Sequence, residues 1–390
     1  MYLTREEERI LNGECGWANQ TCMKILVRLG DLFDAQKLIP IDSAHVSGVS
    51  YKTLGDAPIE FLKTLADCGG RVKVKTTLNP QSLDPKYLVK KLPEHLVKKQ
   101  LSILEQFDKM DLAQSLTCTP YYLSRVKPDS HLAWAESSAV VYANSILGAR
   151  TNREGGPSAL AAGIVGKTPN YGIHSPENRK PEAAVKVEAR LRDETDFGAL
   201  GIHLGKLLHN KIPVIENLRR PSVNKLKQLS AALATTGMTN MFHCGKCPKK
   251  QELEKITVQD SDLRRTVEEL STSQAKKPDL VFLGCPHCSL NEMKQIASLV
   301  HEKKVAPETE FWVCTSSHVK NIGEKYARDI EKSGGHVLTG VCTVVSWTEK
   351  LGIRTIVTNS AKTVYYAPSL CKAEAVLAPM KDCVKTALRG

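Results

Sequence analysis

Aromatic side chains are scarce in this chain of 390 residues, where Phe, Tyr and Trp together make up 5%. Proteins that bind single-stranded nucleic acid stack bases on such rings, so that function is poorly provided for. Long apolar runs are missing as well. Nothing approaches the ~20 consecutive apolar residues of a membrane-spanning helix, so no membrane partner is expected. The opening stretch, MYLTREEERILNGE, lacks the apolar core of a secretory signal, and a cytoplasmic location is expected. Low-complexity tracts and internal repeats are absent. The balance of 42% hydrophobic against 25% charged residues is that of a folded globular protein, not of a disordered or collagen-like one. Acidic residues are outnumbered, 42 against 54 basic, for a formal net charge of +12. That excess favours an anionic partner, nucleic acid, acidic lipid or a phosphorylated metabolite, unless it is solvated lysine on helix faces. The cations are spread along the chain rather than gathered in an arm, which counts against nucleic acid.

Cysteine, by contrast, is plentiful, with twelve in the chain. Without an export signal they are not expected to form a disulfide framework. Buried thiols are common core residues, but several here sit in polar, Gly/Pro-rich contexts, which raises metal or cluster ligation as a hypothesis.

The length suggests two or three domains. We place an N-terminal α/β domain at 1–130, a middle α/β domain at 131–275 and a C-terminal βα-repeat, Rossmann-like domain at 276–390. Thr4 and Glu7 form a capping box for the first helix, and a second helix is expected from Asn19 to Phe33. Pro58 to Cys68 reads as a helix, RVKVKTT as a half-buried strand, and 80–115 as mainly helical. Ala139 to Leu147 reads as a buried helix, and 182–209 as one charged helix. The last 115 residues alternate apolar runs, DLVFLG, EFWVC, HVLTGV and RTIVT, with helices, the pattern of a parallel sheet with crossovers.

In such sheets ligands bind beyond the carboxyl ends of the strands. Those ends read GCPHCS, CTSSH, CTVVS and TNSAK. Cys285, Cys314 and Cys342 fall at or just past them, beside small hydroxyl-bearing neighbours that suit a site better than a core. The pairs Cys244-x-x-Cys247 and Cys285-x-x-Cys288 also resemble zinc knuckles. However, the second follows a buried strand, and their separation exceeds the usual fifteen to twenty residues. A zinc- or cluster-containing nucleic-acid-binding protein is therefore the alternative from another class.

The motifs TCTPYY, GCPHCS, GVCTVVS and TNSAKTVYYAP, with AHVSG, KTTLNP, ESSAVVYANSILGARTNREGGPSA and GIVGKTPNYGIH, resemble those of the catalytic chain of the aconitase X family. They run in the family order from about residue 40 to 370. The resemblance implies an α/β, aconitase-like fold: several Rossmann-like α/β/α domains around a central cleft, lacking the swivel domain. It implies a hydro-lyase with an iron–sulfur cluster held by Cys118, Cys285 and Cys342. The cluster is expected as 4Fe–4S in the active form and 3Fe–4S or smaller as isolated. Cys244, Cys247, Cys288 and Cys314 are not ligands by this resemblance. The family has a fused type, which dehydrates cis-3-hydroxy-L-proline, and a two-chain archaeal type, which dehydrates (R)-5-phosphomevalonate. The chain stops just after TNSAKTVYYAP, so it resembles the separate large subunit. A small swivel-domain subunit is then the expected heterodimer partner, and a phosphorylated hydroxy acid the expected substrate.

Dehydration needs an activated hydroxyl, a base and clamps for the substrate's anionic ends. Glu136 and Lys362 are the catalytic candidates, Lys362 at a helix N-terminus that favours anions; a solvated lysine is the plain reading. The loop from His45 through Gly48, Val49 and Ser50 offers an anion nest or an ordinary turn. Asn79 and Pro80 end the KVKTTL strand, where the amide faces substrate or caps the chain. Ser137 and Ser138 cap the next helix or face substrate. Arg150 and Arg153 carry forks suited to carboxylate or phosphate, or to surface ion pairs. His287 orients the cluster, shuttles a proton or makes a structural hydrogen bond.

Overall fold

The protein is described by a computed structural model that covers residues 1–218, 220–246, 253–273 and 277–388. It divides into two compact units. One comprises Met1–Gln81 with Pro93–Lys180, the other Ser82–Leu92 with Pro181–Gly390.

Unit 1 is built on a parallel sheet of β2 (Ser43–Val46), β3 (Lys75–Leu78) and β4 (Leu132–Trp134), in the order β3-β2-β4. A short antiparallel pair, β1 (Leu38–Pro40) with β5 (Lys167–Pro169), stands beside it. The helix Gly156–Val165, GPSALAAGIV, is buried along most of its length. Its small residues let it lie close to the strands: a Cβ on Gly163 would meet Thr76 Oγ1 at 2.7 Å. The Thr4–Glu7 capping box forms as the sequence indicates, and Glu7 goes on to pair with Lys167 at 2.7 Å. The segment Arg150–Arg153 bridges to the edge of β4. That pairing keeps residues 131–180 with the first sheet, whereas the sequence reading put a boundary near 130.

Unit 2 holds two parallel sheets. The first runs β8 (His243–Cys244), β7 (Pro213–Glu216), β6 (Ala183–Val187), β9 (Glu254–Val258). The second runs β12 (His336–Thr339), β11 (Glu310–Thr315), β10 (Leu280–Leu283), β13 (Thr355–Thr358), β14 (Glu374–Leu377). The four apolar runs of the C-terminal region are thus four neighbouring parallel strands, as expected, and β14 is a fifth. The expected charged helix over 182–209 is two elements: β6, then the helix Glu194–Leu208. Charged residues flank the short run AAVKV and hide it, but β6 is a central strand with four of its five residues buried. The helix packs against Val223–Thr236 through glycines; a Cβ on Gly201 would lie 2.6 Å from the Ala232 methyl.

In the second sheet the chain starts at β10, moves outward through β11 to β12, and then returns to β13 on the other side of β10. The strand order therefore reverses between β10 and β13, the position where open parallel sheets bind ligands.

Candidate active site

In unit 1, His45, Asn79, Glu136 and Ser138 are joined by hydrogen bonds at the carboxyl ends of the three parallel strands. His45 is not on a loop as expected. It lies within β2, fully buried, with Nδ1 2.7 Å from Thr77 Oγ1 and Nε2 3.4 Å from Asn79 Oδ1. Asn79 Nδ2 donates to Glu136 Oε2 at 2.8 Å. Since the Asn79 oxygen can only accept, His45 Nε2 carries the proton and Nδ1 accepts from the Thr77 hydroxyl. One directed chain results, Thr77 to His45 to Asn79 to Glu136. It works with a neutral imidazole, and burial pushes the His45 pKa down to about 4, against the opposing pull of the Glu136 charge.

Glu136 itself caps the helix Ser137–Tyr142: its Oε1 accepts from Ser138 N–H at 3.3 Å and Ser138 Oγ at 2.9 Å. Of the two readings of the serines, cap or substrate-facing, the cap belongs instead to the Glu136 carboxylate, to which Ser138 donates, while Ser137 is half-buried. Cys118 is half-exposed between Thr117 and Thr119, both fully buried. Their hydroxyls lie 3.0 Å apart, and Thr117 N–H donates to Leu78 O at 2.9 Å, tying Cys118 to the end of β3 next to Asn79 and the buried Pro80.

The loop after β2 has Gly48 at φ +76°, a conformation that glycine adopts without strain. Val49 and Ser50 are buried, and Gln100 holds the loop from both sides, accepting from Tyr51 N–H at 2.9 Å and donating to Val49 O at 2.8 Å. Arg150 is engaged elsewhere. Its guanidinium pairs with Asp129 at 2.8 Å and donates to His174 O at 3.2 Å, the ion-pair reading rather than a presented fork. Arg153 bridges alongside Trp134 at the end of β4.

In unit 2, Cys285 and Cys342 lie in the loops that follow β10 and β12, and neither is in a disulfide. Their loops are joined by His287 Nε2 and Val341 O at 2.8 Å, so the structural hydrogen bond is the reading of His287 that is seen. Cys314 is corrected: it lies inside β11, fully buried and paired with Leu338. Across the switch point, Ser360 caps the helix Ala361–Tyr366, and half-buried Lys362 is in its first turn. Asn359 Oδ1 and Thr363 Oγ1 are buried here without a hydrogen-bond partner. Unpaired buried polar atoms are costly, and these two lie beside the switch point. Cys244 is exposed at the end of β8, and Cys247 lies outside the described residues. Among the described residues no group of three or more His, Cys, Asp or Glu is gathered to hold a metal ion.

Sequence reasoning missed one group. Lys227, on the helix Val223–Thr236, is fully buried against Glu292, and with Gln228 it reaches the Cys285 loop. Polar residues on a helix read as a solvated face unless the neighbouring element is known.

Three family models match the chain in order: Aconitase X first domain over residues 1–177, second domain over 181–268 and third domain over 278–389. The phosphomevalonate dehydratase large subunit of Methanocaldococcus jannaschii is 45% identical, covering 99% of this chain and 100% of its own. The cis-3-hydroxy-L-proline dehydratase of Pseudomonas aeruginosa is 33% identical, over 98% of this chain and 69% of its own. The crystal structure of Thermococcus kodakaraensis aconitase X in its holo-form superposes with a TM-score of 0.92 at 43% identity, covering 99% of this chain and all of that one. The α/β fold, the family models and these relatives agree: the chain belongs to the aconitase X family and is a hydro-lyase.

Proposed function

We propose that this chain is the large, catalytic subunit of a dehydratase that removes water from (R)-5-phosphomevalonate to give trans-anhydromevalonate 5-phosphate. It works with a small swivel-domain subunit and an iron–sulfur cluster in the cytoplasm. The observation that carries the reading is the Glu136 network: a buried carboxylate oriented by Asn79 and Ser138 at the carboxyl ends of parallel strands. The higher identity to phosphomevalonate dehydratase large subunits than to hydroxyproline dehydratases favours the phosphorylated substrate. The net charge of +12 suits an anion.

The donor set fits a cluster. Cys285 and Cys342 stand after β10 and β12, on either side of β11, in loops that are hydrogen-bonded together, and unsatisfied Asn359 and Thr363 lie at the same edge of the sheet. Cys118, Cys285 and Cys342 would hold it. When bound, such a group supplies a Lewis acid that makes the substrate hydroxyl a leaving group. The chain's own residues do the rest. Glu136 exchanges a proton with the substrate or its departing hydroxyl, oriented by the Asn79 amide and the Ser138 hydroxyl. His45, kept neutral by burial, fixes which way the Asn79 amide faces. Gly48, Val49 and Ser50 offer backbone N–H groups to an anionic end of the substrate, and Lys362 and Arg153 supply positive charge. Arg150 has a secondary part, since Asp129 already pairs with it.

The test is metal analysis followed by assay. The purified chain should carry iron and acid-labile sulfide, and Cys118→Ser, Cys285→Ser or Cys342→Ser should each abolish the cluster's visible absorption. With the small subunit added, phosphomevalonate should be consumed and cis-3-hydroxy-L-proline should not. A Cys342→Ser protein with full iron and activity would refute the ligand set. Turnover of hydroxyproline alone would refute the substrate.

A further inference from the structure

Three successive carbonyl oxygens in the loop after β10 face one helix. Gln228 Nε2 donates to Cys285 O at 3.2 Å, and Lys227 Nζ donates to Pro286 O at 3.4 Å and to His287 O at 3.0 Å. Nearly one turn earlier on the same face, Asn224 Oδ1 accepts from Ser289 Oγ at 3.1 Å. Residues spaced i, i+3 and i+4 share a helix face, so Asn224, Lys227 and Gln228 grip the Cys285–Ser289 loop along its whole length.

The Lys227 ammonium is entirely buried and pairs with Glu292 Oε2 at 2.5 Å, that side chain being 3% exposed. The same carboxylate oxygen accepts from Ser289 N–H at 2.8 Å at the start of the helix Leu290–Val300. As a device for stability alone this is a poor choice. Two ions taken out of water cost desolvation, and apolar residues of similar volume would serve the core as well or better. What apolar residues cannot do is donate to carbonyls. The far side of the loop is anchored separately, by Cys288 N–H on Cys314 O at 2.9 Å and by Thr315 Oγ1 on Cys288 O at 2.7 Å. Held from both sides, the backbone at residue 285 has one orientation, and the direction of the Cys285 side chain follows from it.

We infer that Lys227, with Glu292 as its counter-ion and Gln228 as its neighbour, is a positioning residue that pre-sets the Cys285 thiol for metal. The inference rests on Cys285 being a cluster ligand. Groups that orient a ligand from behind are worth roughly 10–100-fold in metal affinity, and Lys227 is placed to act in that way on the Cys285 loop.

The experiment compares the iron-loaded wild-type chain with Lys227→Met/Glu292→Gln. The double variant removes both buried charges together and keeps an acceptor for Ser289 N–H. Two readouts are taken besides thermal stability. One is the rate at which a chelator strips iron, followed by visible absorption. The other is the alkylation rate of Cys285 in the metal-free chain, located by peptide mapping. We expect a melting temperature close to wild type, iron loss faster by roughly 10–100-fold, and a changed alkylation rate at Cys285 with unchanged rates at Cys15 and Cys68, which are exposed. A folded double variant that keeps its iron at the wild-type rate would overturn the inference. Should the double variant fail to fold, Gln228→Met decides, since it removes only the bond to Cys285 O. Faster iron loss supports the inference, and wild-type behaviour overturns it. Failure of the underlying reading looks different: there the wild-type chain and Cys285→Ser bind the same amount of iron.

Discussion

Acid should weaken unit 1 through the buried His174 and its half-buried neighbour His131. His174 is 1% exposed, and its Nδ1 lies 3.0 Å from His131 Nδ1. Between two such nitrogens only one proton fits, so the pair is stable when at least one ring is neutral. His174 Nε2 is buried with no acceptor, and Arg150 donates to the His174 carbonyl. Burial, with the repulsion of His131, Arg150 and Arg179, pushes the His174 pKa from 6.5 down to about 3. The unfolded chain therefore binds a proton that the folded chain refuses between pH 6.5 and about 3. The stability contributed by the neutral ring is complete above pH 6.5 and is lost as pH falls below it. The slope is about 1.4 kcal/mol per pH unit, or about 2 kcal/mol between pH 6.5 and pH 5. Substitution His174→Gln removes the titration. It should lower stability at pH 7 and yet flatten the acid slope by about one proton. Hydrogen-exchange protection of the Arg150–Glu154 amides at pH 7, 6 and 5, corrected for intrinsic rates, reads unit 1 alone. Equal slopes in wild type and variant would refute the argument, because His45 and His131 titrate in both.

Two further outcomes follow from the site. Glu136→Gln keeps the size of the side chain and one acceptor for the Ser138 donors but turns an amide NH2 toward the Asn79 donor, so it should cost about 1–3 kcal/mol of stability while kcat falls about 10²–10⁴-fold, read by urea unfolding and by steady-state assay with the small subunit present. Gly156→Ala would put a methyl 2.6 Å from Ser47 O, which forces the Ser47–Ser50 loop to move. It should destabilise unit 1 by about 1–3 kcal/mol and raise KM, measured by urea unfolding and kinetics.

The C-terminal sheet was legible because each of its first four strands is an unbroken apolar run, and such runs in alternation with helices have few other arrangements. The first helix was legible from Thr4 and Glu7, which are adjacent in sequence and meet locally. Ala183–Val187 was not legible. Its burial comes from β7 and β9 on its two sides, which begin about 25 and 65 residues further on, while its own flanks are charged. Cys314 was misplaced for a related reason. Its hydroxyl-rich neighbours suggest a loop, but pairing with β12 extends β11 through Thr315.

For the candidate site, polar groups at the ends of apolar runs were enough to nominate Asn79, Glu136, Ser138, Cys285 and Cys342, whereas the choice of Cys118, Cys285 and Cys342 as a ligand set came from the resemblance to aconitase X and not from residue types. Their roles needed tertiary structure. That His45 orients Asn79, that Asn79 turns to Glu136 and that Arg150 serves Asp129 all depend on side chains distant in sequence, whereas the Glu136 cap on Ser138 is local. Lys227 is the sharpest case. A lysine on a helix has a low free energy in water, and only the packing of that helix onto the loop after β10 turns it into a buried donor. Local patterns determine where strands and helices start and stop, whereas the partner of each polar group is set by long-range packing, which no window of sequence contains.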